Sequence, residues 1–275
     1  MAQEMKKHEV MLQADTFVEL LRRDWPRLEQ RLKLPPWFPR LRERRDQAVL
    51  SALEQERFLC ALNVRIADGS FGQLVNVHAD MTHHMHAMPA PGDPTGAIGQ
   101  QRFLPWHRVY LLMFELLLEG VHPDVTLPYW DWAKPGEDSV PGWLAGYTPT
   151  VSTPTGSITV TRAPGSPAWL TTIASNVPAT MALTDYTGFA TQLEDIHNMV
   201  HVWVGGTMGA IATAPADPLF WMHHANVDRL WWQWQQSPAG SSQNPVLSGT
   251  DAILDPWSYT EPMTRNVAGL GYTYV

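Results

Sequence analysis

A mainly helical fold is predicted for this chain by three observations. Apolar residues recur at helical spacing along several long segments, and histidines stand four residues apart inside one of them. The stretch richest in Thr, Ser, Pro and Gly is confined to residues 142–178. Apolar positions repeating every three to four residues mark a helix with one buried face, whereas runs broken by Pro and Gly mark surface loops. The 275 residues, 44% hydrophobic and including 13 tryptophans, are enough for a substantial single core.

The elements follow in order. Residues 8–34 can place Leu12, Phe17, Leu20, Leu21 and Trp25 on one stripe before Pro26, so an accessory helix is expected, followed by a proline-rich connector at 34–40. Residues 1–41 are therefore read as an N-terminal helical extension and 42–275 as the main domain. A longer amphipathic helix is expected over 42–66 through Val49, Leu53, Phe58, Leu59 and Leu62, stopped by Asp68 and Gly69. The next segment begins as a helix and gives way to a loop between Pro89 and Gly96. A buried helix is expected over 102–120, with Pro105 in its first turn and Gly120 ending it. LPYWDWAKPG at 127–136 reads as an aromatic connector. Residues 142–178 read as surface loops with a small hairpin around 157–162, and the tail from Ser237 as loop.

The chemistry lies in the histidines. His197 and His201 are one turn apart on one helix face, which is chelate spacing. Asp217 and Pro218 form an N-cap and a first-turn proline, opening a helix that carries His223, His224 and Asp228. A three-nitrogen site from His197, His201 and one of the adjacent pair is easy to build from two packed helices. Upstream stand His78, His83, His84 and His86, then His107 on the buried helix. On an unbroken helix His86 would lie about 12 Å along the axis from His78, so either that helix ends early or His83 serves instead. Each of these histidines also has a plain reading, as a solvated side chain or a hydrogen-bonded core residue. A zinc hydrolase would use similar nitrogens, but carboxylate ligands at suitable spacing are missing.

Composition narrows the partners. A net charge of −8 and a pI of about 5.7 argue against a nucleic-acid or anionic-membrane surface. The one cysteine, Cys60, allows neither an intrachain disulfide nor a thiolate metal site. The first residues carry no apolar signal core and no long apolar run follows, so a cytoplasmic location is the expectation.

FLPWHR at 103–108, LPYWDW at 127–132, HNMVHVWVGG at 197–206 and DPLFWMHHANVDRLW at 217–231 resemble, in order, the motifs of the tyrosinase family of type-3 copper proteins. The resemblance covers roughly residues 45–275. It implies a central four-helix bundle holding two copper ions, each with three histidine ligands, and dioxygen as cosubstrate. Carried over, His197, His201 and His224 bind the second copper, with His223 beside them, and His78 and His107 bind the first. Phe220 matches an aromatic residue packed between the ligands. The family commonly has a histidine nine residues before the last ligand of the first site, where this chain has Ile98. His86 is chosen to replace it, with His83 the runner-up.

The resemblance implies oxidation of monophenols and o-diphenols to o-quinones, with a small phenolic substrate as the partner. The alternatives are a catechol or o-aminophenol oxidase and, less favoured, a haemocyanin-like oxygen carrier. It further implies that Asn198, directly after a ligand, and Glu194, three residues before it, hold a water that helps deprotonate the incoming phenol.

Overall fold

The computed structural model describes residues 41–275. The accessory helix over 8–34, the connector at 34–40 and the N-terminal extension lie outside the described residues, save Leu41.

The first described segment is not helical. Arg42–Arg44 forms a strand, β1, Gln47–Val49 a 3-10 turn, and the helix α1 begins only at Ala52 and runs to Ala67. The expectation of a helix from Arg42 is corrected by two local causes. Ser51 and Glu54 make a reciprocal capping box, which fixes the helix start. Arg44, upstream of it, is wholly buried against Glu115 and Asp228 and needs an extended backbone to reach them.

Four helices follow that carry histidines or lead into one: α2 (Ser70–Val77), α3 (Ala97–Glu119), α4 (Tyr186–Val204) and α5 (Pro218–Gln236). Their facing sides share one apolar cluster, with Trp106, Phe114, Trp221, Trp231 and Trp234 fully buried. The predicted early end of the upstream helix is found: α2 stops at Val77 with His78 as its C-cap, and a 3-10 turn at Met81–His83 follows. Asp217 caps α5 as expected, its carboxylate accepting from the Leu219 N–H at 2.8 Å.

Helix α3 departs from expectation in a second way. It begins at Ala97 rather than just before Pro105, so the proline lies in its interior. A proline there removes one N–H and leaves the carbonyl four residues back without its helical partner. The Tyr186 hydroxyl donates to the Gln101 carbonyl at 3.2 Å, which supplies the missing bond from α4. Gly120 ends the helix as predicted.

The small β content is two ribbons. β2 (Thr150–Thr153) and β3 (Gly156–Thr159) form an antiparallel hairpin, earlier than the predicted 157–162. Residues after β3 bond to the end of α4 instead: Ala163 N–H donates to Val204 O, Gly165 N–H to Trp203 O, and Thr161 O accepts from Thr207 N–H. A Cβ on Gly206 would lie 2.2 Å from the Thr161 oxygen, so this seam needs glycine there. The tail is more ordered than predicted. Tyr272–Tyr274 forms β4, paired parallel with β1 in the register Arg42 to Tyr272.

Candidate metal centre

Two sets of histidines converge in the helical core. In the first, His78 closes α2, His86 sits in the loop between α2 and α3, and His107 stands on α3; all three are buried. His78 Nε2 lies 3.1 Å from His107 Nε2 and 3.3 Å from His86 Nε2. In the second, His197 and His201 project from α4 toward His224 on α5. Their Nε2 atoms lie 2.9 and 3.2 Å from His224 Nε2.

The opposite ring nitrogens decide what these short contacts are. Nδ1 of His78 lies 3.0 Å from the Ile211 carbonyl, Nδ1 of His107 2.8 Å from Phe103 O, and Nδ1 of His201 2.8 Å from Met208 O. His197 Nδ1 stands 3.3 Å from Glu194 O, and His86 Nδ1 3.2 Å from a Glu194 carboxylate oxygen. A carbonyl or carboxylate oxygen only accepts, so these Nδ1 atoms carry the protons and the Nε2 atoms are lone pairs. In the first set three such lone pairs face one another and repel unless a cation lies between them; in the second, the lone pairs of His197 and His201 both face His224, whose Nδ1 has no partner among the described residues, so its Nε2 either carries a proton or shares a cation with them. Protons are disfavoured as that cation: burial and the neighbouring imidazoles hold His78, His107, His197 and His224 well below the usual histidine range, and burial holds His201 down to about 4. Neutral imidazole nitrogens in threes suit copper, and Nδ1 bonds of this kind orient ligating rings.

His223 lies close to the second set but takes another part. The Trp132 indole N–H donates to His223 Nδ1 at 3.0 Å, which leaves its proton on Nε2. Its ring stacks on His197 with centroids 5.1 Å apart, as a wall behind that set. Phe220 packs on the His224 ring at 4.0 Å and edge-on to His78 at 5.1 Å, so it stands between the two sets.

The HHMH cluster separates cleanly. His83 turns away: its Nδ1 lies 2.5 Å from Asp255, which also pairs with Arg102, and its ring stacks on Trp106. His84 adopts a left-handed backbone (φ 48) and its ring lies over Gly92. His86 alone of the cluster enters the first set. Gly99 permits this, because a Cβ there would lie 1.8 Å from the His86 carbonyl oxygen. The loop therefore seats directly on α3, one residue past Ile98.

Glu194 is buried, and one of its oxygens accepts from both the Ala87 N–H, at 3.0 Å, and His86 Nδ1. Its other oxygen has no partner among the described residues. Asn198, one helical turn further, is exposed, and the two residues line a common cleft of about 270 Å³.

Sequence relatives carry similar features. The family profile described as the common central domain of tyrosinase matches residues 68–172 and 155–237. A tyrosinase of Streptomyces glaucescens is 32% identical over 261 residues, covering 80% of this chain and 93% of its own.

The chain belongs to the tyrosinase family. Members of this family are dicopper enzymes that oxidise phenols with dioxygen, and this tyrosinase-family chain presents two histidine sets that fit two copper ions. The fold is shared more widely. A functional unit of octopus haemocyanin superposes with a TM-score of 0.66 at 22% identity, covering 84% of this chain and 67% of that one. A grape (Vitis vinifera) polyphenol oxidase gives 0.61 at 24% identity, covering 86% and 85%. No helix of the described residues is long and apolar enough to cross a membrane.

Sequence reasoning missed the backbone oxygens that orient the rings, since Ile211, Met208 and Phe103 supply carbonyls and no side-chain signal. It also missed Gly99, whose position beside Ile98 was the one readable sign that another segment packs there.

The depressed histidines make the metal-free protein acid-sensitive. An unfolded chain takes up protons on these imidazoles below about 6.5, while the folded chain resists until about 4 at His201. Stability is therefore full above 6.5 and falls as pH is lowered toward 4. The urea midpoint of metal-free protein should drop between pH 7.5 and pH 5; a flat midpoint across that interval would contradict the buried, neutral histidines.

Proposed function

We propose that this chain oxidises monophenols and o-diphenols to o-quinones with dioxygen, using His78, His86 and His107 at one copper and His197, His201 and His224 at the other. The observation that carries the assignment is the convergence of six histidine Nε2 atoms in two adjacent threes. Bound copper supplies the oxygen-activating redox chemistry. The protein fixes the ligand geometry and handles the phenol.

A free phenol has a pKa near 10, so its proton needs a receiver near neutral pH. Asn198 cannot titrate, but its amide can orient a water, and the unpartnered Glu194 oxygen one turn away can accept from that water. Glu194 acts twice on this reading: one oxygen holds the His86 ring, the other faces the water. Phe220 packs between His78 and His224 and holds those two rings in place, while His107 of one set stacks directly on His224 of the other at 4.6 Å.

The test combines copper analysis with oxygen uptake on p-cresol and 4-methylcatechol. About two coppers per chain and uptake with both substrates are expected. Asn198→Ala should lower monophenol turnover about tenfold or more, the usual scale for lost proton-transfer assistance, and catechol turnover much less. Equal losses on both substrates at unchanged copper content would remove the water-orienting role. Uptake with the catechol alone in the unaltered protein would make it a catechol oxidase.

A further inference from the structure

The cleft beside Glu194 and Asn198 has a definite charge. Glu194 and Asp195 are its charged lining groups, and the remaining lining, including Thr95, Gln100 and Thr191, is neutral. Asp195 is exposed and also lines a second groove of about 490 Å³ on the other side of α4, walled by Trp169, Ile173, Gln192 and Met199. Among the described residues no cation lines that groove either. Further along the exposed side of α4, Met199 and Val202 are 42% and 56% exposed and carry no charge. Among the described residues neither Glu194 nor Asp195 is ion-paired with a lysine or arginine.

The cleft adjoins the metal centre through Glu194 and Asn198, with no histidine of either set in its lining. Its floor is Glu194, which is 4% exposed, holds His86 by one oxygen and has no partner for the other among the described residues. Asn198 beside it follows the ligand His197 directly. A phenol whose hydroxyl lies by this floor has its ring substituent pointing outward, past Asp195. A carboxylate on that substituent meets like charge with no cation to offset it, whereas an ammonium meets a partly desolvated carboxylate.

We propose that Asp195 is a specificity-determining residue and that the site prefers phenols bearing a basic side chain, the arylalkylamines, over phenols bearing a carboxylate. This rests on the phenol-oxidising reading above. The selection is electrostatic and long-ranged, so it weakens as salt screens charges more than about 10 Å apart at 0.1 M.

The full-length, copper-loaded protein is assayed with tyramine, p-cresol and 3-(4-hydroxyphenyl)propionate, and anaerobic binding of the same three phenols is titrated alongside. The ratio of kcat/KM for tyramine to that for the propionate should be roughly tenfold at low ionic strength and shrink with added salt. Asp195→Asn should reduce the ratio severalfold and Asp195→Lys should invert it, with copper content and circular dichroism checked for each variant. A ratio near one, or one that both variants leave in place, overturns the proposal. Failure to oxidise p-cresol, with anaerobic binding still ordered by charge, overturns the phenol-oxidising reading and leaves the charge selection standing.

Discussion

His86→Ala should remove one copper per chain and abolish oxidation of monophenols and catechols together, while His83→Ala should keep both coppers. The two residues stand in one short cluster, yet their surroundings differ. His86 is 6% exposed, its Nε2 aimed at His78 and its Nδ1 tied to Glu194. Removing it leaves two nitrogens for one ion and frees Glu194 from its ring. His83 instead links the loop to the part-exposed Asp255, so its loss should lower stability by about 1 kcal/mol, the usual net value of one hydrogen bond. Metal analysis and oxygen uptake on both variants decide the matter. Full copper in His86→Ala, or lost copper in His83→Ala, would transfer the ligand role to His83.

The second large effect is on stability. Asp228 lies one turn after His224 and faces away from the metal centre, into a buried ion network. Its carboxylate accepts from Arg108 Nε at 2.5 Å, Arg44 at 3.4 Å, and the hydroxyls of Tyr272 and Tyr274 at 2.7 and 2.5 Å. Both arginines are wholly buried, with Arg44 also held by Glu115 and Arg108 stacked 3.6 Å over Trp231. Asp228→Ala takes the counter-charge from Arg108 and half of it from Arg44. Uncompensated buried charge of this kind costs about 3–5 kcal/mol. Tyr274→Phe, which removes one hydroxyl only, should cost about 1 kcal/mol. Denaturant unfolding measures both; a loss under about 1 kcal/mol for Asp228→Ala would mean that Glu115 and solvent satisfy the arginines without it.

The legible parts of this protein are those set by spacing and local chemistry. The pair His197 and His201 on one face, the Asp217–Pro218 helix start, and the stop at Gly120 depend on neighbours within a turn or two, and the structure has them as read. What the sequence hid depends on distant partners. The start of α3 eight residues before Pro105 relies on Tyr186 from another helix to bond Gln101. Arg42–Arg44 looked helical because its partner strand is Tyr272–Tyr274, at the far end of the chain. His86 was separable from His83 only through Glu194, Asp255 and the space over Gly99. Asp228 was legible only as a residue one turn after His224; its role as counter-charge to Arg44 and Arg108 depends on segments far away in the chain.

The pairing of β1 with β4 also brings the two ends of the described residues side by side. The strands are parallel and Val275 N–H reaches Arg44 O at 3.2 Å, so Val275 lies beside the end of β1, about 10 Å of strand from its start. A linker of a few glycines spans that gap. A permuted chain of the described residues, with 1–40 left out, opened at the tip of the β2–β3 hairpin between Pro154 and the exposed Thr155, would run from residue 155 to 275 and on through 41 to 154. It leaves every histidine-bearing helix uncut, yet the half with His197, His201 and His224 would now emerge from the ribosome before the half with His78, His86 and His107. Such a chain separates the order in which the two copper pockets are synthesised from the order in which they fill.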